Sequence, residues 1–148
     1  MTKPSVFLDT SFLVSSQLEG HEFYDRTLAI RKLFLDQKYK LYTSWLVFDE
    51  FWYVLTGIWK ASEQRTDRNQ LHISLIQTTQ AVLKFENLEV LETGLTNKEL
   101  INTLEIMYQF KLRPRDALII EIMKKARIRH IASFDKDFDG IRDIKRIC

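Results

Sequence analysis

The stretch Val6-Phe7-Leu8-Asp9-Thr10-Ser11-Phe12-Leu13 decides how this chain is read. Three residues suited to a buried strand run straight into a carboxylate, then two hydroxyls and a second apolar run. A strand that carries a charged group to its end places that group at the edge of a sheet. What else the chain brings to that edge then determines what the protein does.

Outward from this stretch, short apolar runs alternate with longer segments of helical period. Residues 5–9 (SVFLD), 40–44 (KLYTS), 88–92 (LEVLE), 129–133 (RHIAS) and 144–148 (IKRIC) read as strands. Residues 28–37 read as a helix with Leu28, Ile30, Leu33, Phe34 and Leu35 crowding one side. Residues 45–58 read as a helix with Ser44 as its N-cap, and 68–85 as another. Residues 96–110 open with Thr96 three positions before Glu99, the spacing of a capping box. Residues 113–126 place Pro114 in a first helical turn. Short strands separated by helices imply right-handed crossovers and a parallel sheet covered on both faces, an α/β fold of the three-layer α/β/α type. In such sheets the working site lies beyond the carboxyl ends of the strands, where strand order reverses. Asp9 and the segment after Ser133 both fall there.

The totals are consistent with one domain spanning 1–148. A chain of 148 residues, 45% hydrophobic, buries roughly 68–70% of its unfolded surface as a single core. Four Gly and two Pro leave no linker or low-complexity tract. A lone Cys148 forms no internal disulfide or thiolate metal site, so a reducing, cytoplasmic setting is expected. Neither a signal peptide nor an apolar run near the roughly 20 residues of a membrane span is seen. Net charge is +2 but unevenly spread: residues 111–148 hold 11 Lys/Arg against 6 Asp/Glu, residues 1–110 hold 11 against 14. Solvated faces and helix-end cations account for that surplus, and it also permits a polyanionic partner.

Four carboxylates stand out. Advancing 100° per residue along 45–58, Val47, Phe51, Val54 and Ile58 form an apolar stripe, with Glu50 about 80° from its centre and Asp49 about opposite. In 113–126 the stripe runs through Ile119, Ile122, Met123 and Ala126, with Asp116 about 60° away in the first turn. Taken singly, Asp116 is a helix-dipole partner and Asp9 a turn or cap. Asp135, Asp137 and Asp139 follow the fourth strand. A calcium loop built on them has Gly140 at its sixth position but Arg146 where the bidentate glutamate belongs. Taken together, Asp9, Glu50, Asp116 and Asp135 would gather at one sheet edge, where they repel or take up protons unless a cation joins them. Arg115 is the one cation near an inward helix position. A divalent ion, Mg2+ or Mn2+, accounts for such a cluster, and ion pairs about 3.5–4 Å apart are usual in phosphodiester-cleaving sites.

These residues resemble the PIN-domain nucleases, and within them the small VapC-type toxins of prokaryotic toxin–antitoxin pairs. The resemblance is carried in order by FLDTSFL, YTSWLVFDEF, RDALII and ASFDKDF, across nearly the whole chain. It implies that Asp9, Glu50, Asp116 and Asp135 are the family's acidic quartet, with Asp137 an accessory metal ligand and Ser11 a hydrogen-bonding partner. It further implies cleavage of RNA by Mg2+- or Mn2+-activated water leaving a 5′-phosphate, a small antitoxin protein as partner, and a homodimer. Arg115 is a weaker candidate for substrate phosphate. Trp52, Tyr53 and Trp59 are assigned to a core or dimer contact ahead of base stacking.

Residues 57–75 read as a long polar connection without a family signature, and the family also includes RNA-maturation nucleases and inactive interaction modules. A haloacid-dehalogenase-type phosphatase needs a second Asp where Ser11 stands. His21, His72 and His130 are scattered, with no nucleophile dyad or zinc spacing.

Overall fold

A computed structural model describes residues 2–65, 67–92 and 94–148. The chain runs β1 (Ser5–Leu8), α1 (Thr10–Gln17), α2 (Tyr24–Asp36), β2 (Lys40–Ser44), α3 (Trp45–Ala61), α4 (Arg68–Leu83), β3 (Leu88–Leu91), α5 (Asn97–Phe110), α6 (Pro114–Lys125), β4 (His130–Ala132), a single 3-10 turn (Lys136–Phe138) and β5 (Lys145–Ile147). All neighbouring strands pair in parallel in the order β3-β2-β1-β4-β5. Phe7 stands opposite Tyr42 on one side and Ile131 on the other. The chain builds outward from β1 to β3, then recrosses through α5 and α6 to reach β4. Strand order therefore reverses between β1 and β4, the place where a parallel sheet opens a crevice.

β1 is central, and its Val6, Phe7 and Leu8 are wholly buried, as the unbroken apolar run requires of a strand covered on both faces. Helix α1 packs on α2, α3 and α4, and α5 packs on α6. With right-handed crossovers the two groups fall on opposite faces. The three-layer sandwich expected from the sequence is the fold observed. Among the described residues no helix is long and apolar enough to cross a membrane.

The differences from the sequence reading are local. Helix α1 follows Asp9 without a loop and leaves no helical pattern in the sequence, because its eight residues carry no amphipathic period: both faces are buried, including Ser15 and Ser16. Ser15 Oγ lies 2.6 Å from Thr27 Oγ1, and Ser16 Oγ donates to the Leu13 carbonyl. Along α3 the buried line is Val47, Phe48, Phe51, Leu55 and Trp59, while Ile58 is exposed. The stripe is turned from the expected one because α1 and α4 both cover this helix. Trp59 is thus core, with the Arg65 guanidinium over its ring, whereas Trp52 and Tyr53 are exposed. Helix α6 is buried almost all round, and its buried Glu121 accepts a hydrogen bond from Asn102 of α5. The connection read across 57–75 shrinks sharply, since α3 runs to Ala61 and α4 starts at Arg68, capped by Asp67. Ser44 holds the N-cap position of α3 but makes no capping bond, and its buried hydroxyl has no partner. The capping box of Thr96 and Glu99 forms with both hydrogen bonds present.

Candidate active site

The carboxyl ends of β1 and β4 are joined by hydroxyls. Asp9, just beyond β1, extends the ladder by donating its N–H to the Ala132 carbonyl. Its buried carboxylate accepts from Ser133 Oγ at 2.7 Å and, more weakly, from Ser11 Oγ at 3.3 Å. Ser11 Oγ also lies 3.2 Å from Ser133 Oγ and accepts the Phe134 N–H. Ser133 in turn accepts the Asp135 N–H, and Asp135 accepts the Asp137 N–H. The chain after β4 is thereby folded back onto the Asp9 side of the crevice. From β5, Arg146 pins the same loop, gripping both oxygens of Asp139 at 2.8 Å and donating to the Ser133 carbonyl.

Two helices complete the cleft. Glu50 of α3 accepts from Thr10 Oγ1 at 2.8 Å and pairs with Arg115 at 3.3 Å. Arg115 also holds the exposed Asp49, so it is engaged with the two acids of α3. Asp116 is carried in by the first turn of α6 and is buried. Asp9, Glu50, Asp116 and Asp135 line one cleft of about 350 Å³, together with Ser11 and the rings of Phe23 and Phe134. Those two rings stack with centroids 4.3 Å apart. The tightest grouping is Asp116, Asp135 and Asp137, whose ligand oxygens lie within 4.8 Å of one another. Asp9 and Glu50 stand outside that trio.

The cation nearest these acids is Arg113, not Arg115. Its Nε lies 3.1 Å from Asp116 Oδ2 and its Nη2 3.0 Å from Asp135 Oδ2. A cation three positions before an acid at a helix start is a signal that spacing alone could have supplied. Ser133 and Thr10 were likewise given no role from the sequence, because a hydroxyl's partner across 124 or 40 residues is a tertiary fact.

Charge in the cleft is poorly balanced. Burial pushes the Asp9 carboxyl up to about 6, and the charges of Asp116 and Glu50 add to this against the hydrogen bonds from Ser133 and the Thr10 backbone. Burial also raises the Asp116 carboxyl, which Arg113 restrains and Asp135 and Glu50 push further. Hard oxygen donors whose ionised forms are disfavoured by burial, as in Asp9 and Asp116, are the environment a divalent ion relieves.

Comparison with known proteins adds the lineage. The PIN domain profile matches residues 6–144. The chain belongs to the PIN-domain family. Among solved structures, VapC20 of Mycobacterium tuberculosis, a sarcin–ricin loop cleaving toxin, superposes with a TM-score of 0.65 at 20% identity, covering 93% of this chain and 95% of that one. PAE2754 of Pyrobaculum aerophilum gives 0.60 at 16% identity, with 98% and 90% covered. VapBC2 of Rickettsia felis, bound to a DNA fragment from their promoter, gives 0.61 at 13% identity with 97% of each chain covered. At these identities the likeness is one of fold. No curated protein matches the chain by sequence. Within the PIN domain, the residues present suit the divalent ion that the family implies: Asp116, Asp135 and Asp137 offer converging oxygens, and buried Asp9 lies in the same cleft.

Proposed function

We propose that this PIN-domain protein is an endoribonuclease dependent on Mg2+ or Mn2+, and that it is the VapC-type toxin of a toxin–antitoxin pair. The observation that carries the reading is the convergence of Asp9, Glu50, Asp116 and Asp135 on one cleft at the strand-order reversal. The fold shared with a toxin that cleaves the sarcin–ricin loop supports RNA as substrate, and the VapBC2 likeness supports a small antitoxin as partner. The chain is read as one nuclease domain over 1–148, acting in the cytoplasm as a homodimer.

When bound, the divalent ion lowers the pKa of the attacking water and offsets charge on the phosphate. Asp9, Asp116 and Asp135 would hold it, with Asp137 as a further ligand, and Ser133 and Ser11 fix Asp9 Oδ2 by hydrogen bonds. Glu50, steered by Thr10 and open to the cleft, accepts a hydrogen bond from the incoming water. A new bond would form from water oxygen to phosphorus, the water's proton passing by way of Glu50 to solvent, while the bond from phosphorus to the 3′ oxygen breaks and that oxygen takes a proton from solvent, leaving a 5′-phosphate and a 3′-hydroxyl. The basic surface of residues 111–148 supplies salt-sensitive attraction for the RNA backbone.

The purified protein is expected to cut RNA with Mg2+ or Mn2+ and not with EDTA. Asp116→Asn is expected to abolish cutting with an unchanged circular dichroism spectrum. Cutting that survives chelation or the substitution would overturn this function.

A further inference from the structure

One guanidinium spans two carboxylates of the candidate site. Arg113 stands at the N-cap of α6 and reaches Asp116 Oδ2 with Nε at 3.1 Å and Asp135 Oδ2 with Nη2 at 3.0 Å. These two acids also belong to the trio with converging oxygens. Asp135 Oδ1 accepts the Asp137 N–H, whereas Oδ2 has no hydrogen-bond donor but Arg113, so Oδ2 is the oxygen more open to an incoming ion once the arginine leaves. A guanidinium and a divalent cation at those oxygens repel each other strongly at such separations. The arginine is the partner free to yield: its side chain is 66% exposed, against 7% for Asp116. Pairs involving so exposed a cation are weakly held.

We propose that Arg113 is a displaceable counter-ion: it holds Asp116 and Asp135 together until a divalent ion takes their oxygens, and the released guanidinium then grips a phosphate of the substrate. The proposal rests on the nuclease reading above and adds a residue that the acidic quartet does not include. A planar fork of donors at the mouth of the cleft matches a phosphodiester. Arg115 is less suited to that task, because its two partners, Asp49 and Glu50, lie outside the trio and an ion bound there leaves them paired. Because ion and arginine compete for the same oxygens, ion binding strengthens the hold of Arg113 on substrate, and substrate strengthens ion binding in return.

Mn2+ titration followed by electron paramagnetic resonance, without RNA, tests the first half. Arg113→Gln is expected to bind Mn2+ several-fold more tightly than the unsubstituted protein, and Arg113→Lys to stay near it. Fluorescence anisotropy of a single-stranded RNA oligonucleotide, with Ca2+ and with EDTA, tests the second. The affinity deficit of Arg113→Gln is expected to be several-fold in Ca2+ and smaller in EDTA. Unchanged or weaker Mn2+ binding by Arg113→Gln overturns the proposal, as does an RNA deficit equal in both conditions. Mn2+ binding without any RNA cleavage sinks the ribonuclease reading alone, whereas a protein that binds no Mn2+ sinks both.

Discussion

Asp9 carries an unfavourable charge whose cost has a definite pH dependence. Below the ordinary value of 3.8 both native and unfolded chains hold the proton. Between 3.8 and about 6 the unfolded chain releases it and the native chain does not, so stability of the ion-free protein falls as pH rises through that window. Above about 6 the cost is constant, at most roughly 3 kcal/mol. Asp9→Asn, whose amide oxygen still accepts from Ser133, is therefore expected to raise the ion-free melting temperature at pH 7 while weakening Mn2+ binding; an ion-free protein destabilised by this change would refute the burial account. Ser133→Ala has the opposite character. It removes the 2.7 Å donor from a buried carboxylate, and a loss of about 1–3 kcal/mol is expected in a urea melt. A fall of roughly 10–100-fold in metal affinity should accompany it, the usual effect of removing a ligand's orienting partner. Asp9 and its neighbours were legible in the sequence as a carboxylate and hydroxyls ending a strand. The donation from Ser133 was not, because it joins residues 124 positions apart.

At the scale of elements, β5 is short but does more than close the sheet edge. Its Arg146, nearly buried, clamps Asp139 with two bonds and reaches the Ser133 carbonyl, so the strand anchors the turn that carries Asp135 and Asp137. Arg146→Met is expected to speed amide hydrogen exchange across residues 134–139 and to weaken Mn2+ binding, with exchange in β1 unchanged. Equal acceleration throughout would show a global loss of stability instead. The first four strand positions were readable because helical segments separate them, and the inward lean of Asp116 in the first turn of α6 followed from helical phase. Helix α1 was not readable, since a short helix buried over most of its surface has no exposed polar face to mark its period. The buried face of α3 was misjudged for a related reason. Phase locates a stripe, but which neighbours cover a helix decides how wide the stripe becomes, and α1 and α4 both lie against this one.

For the whole molecule, ion binding and folding are linked, because an ion that binds only the native cleft stabilises it by mass action. Mn2+ is expected to raise the melting temperature in a concentration-dependent way, EDTA to reverse the rise, and Asp116→Asn to abolish it; a rise that persists in Asp116→Asn would place the ion elsewhere. The alternation of short buried strands with amphipathic helices, and the acids at strand ends and helix starts, were determined by the sequence itself, because burial pattern and local spacing are local properties. Which cation meets which acid was decided by the tertiary structure alone. Arg115 stood nearest the inward stripe in sequence, yet the fold turns it toward Asp49 and Glu50 and hands Asp116 and Asp135 to Arg113. The reversal of strand order between β1 and β4 brings chain segments more than 100 residues apart within hydrogen-bonding reach, and charge pairing follows distance in space rather than along the chain.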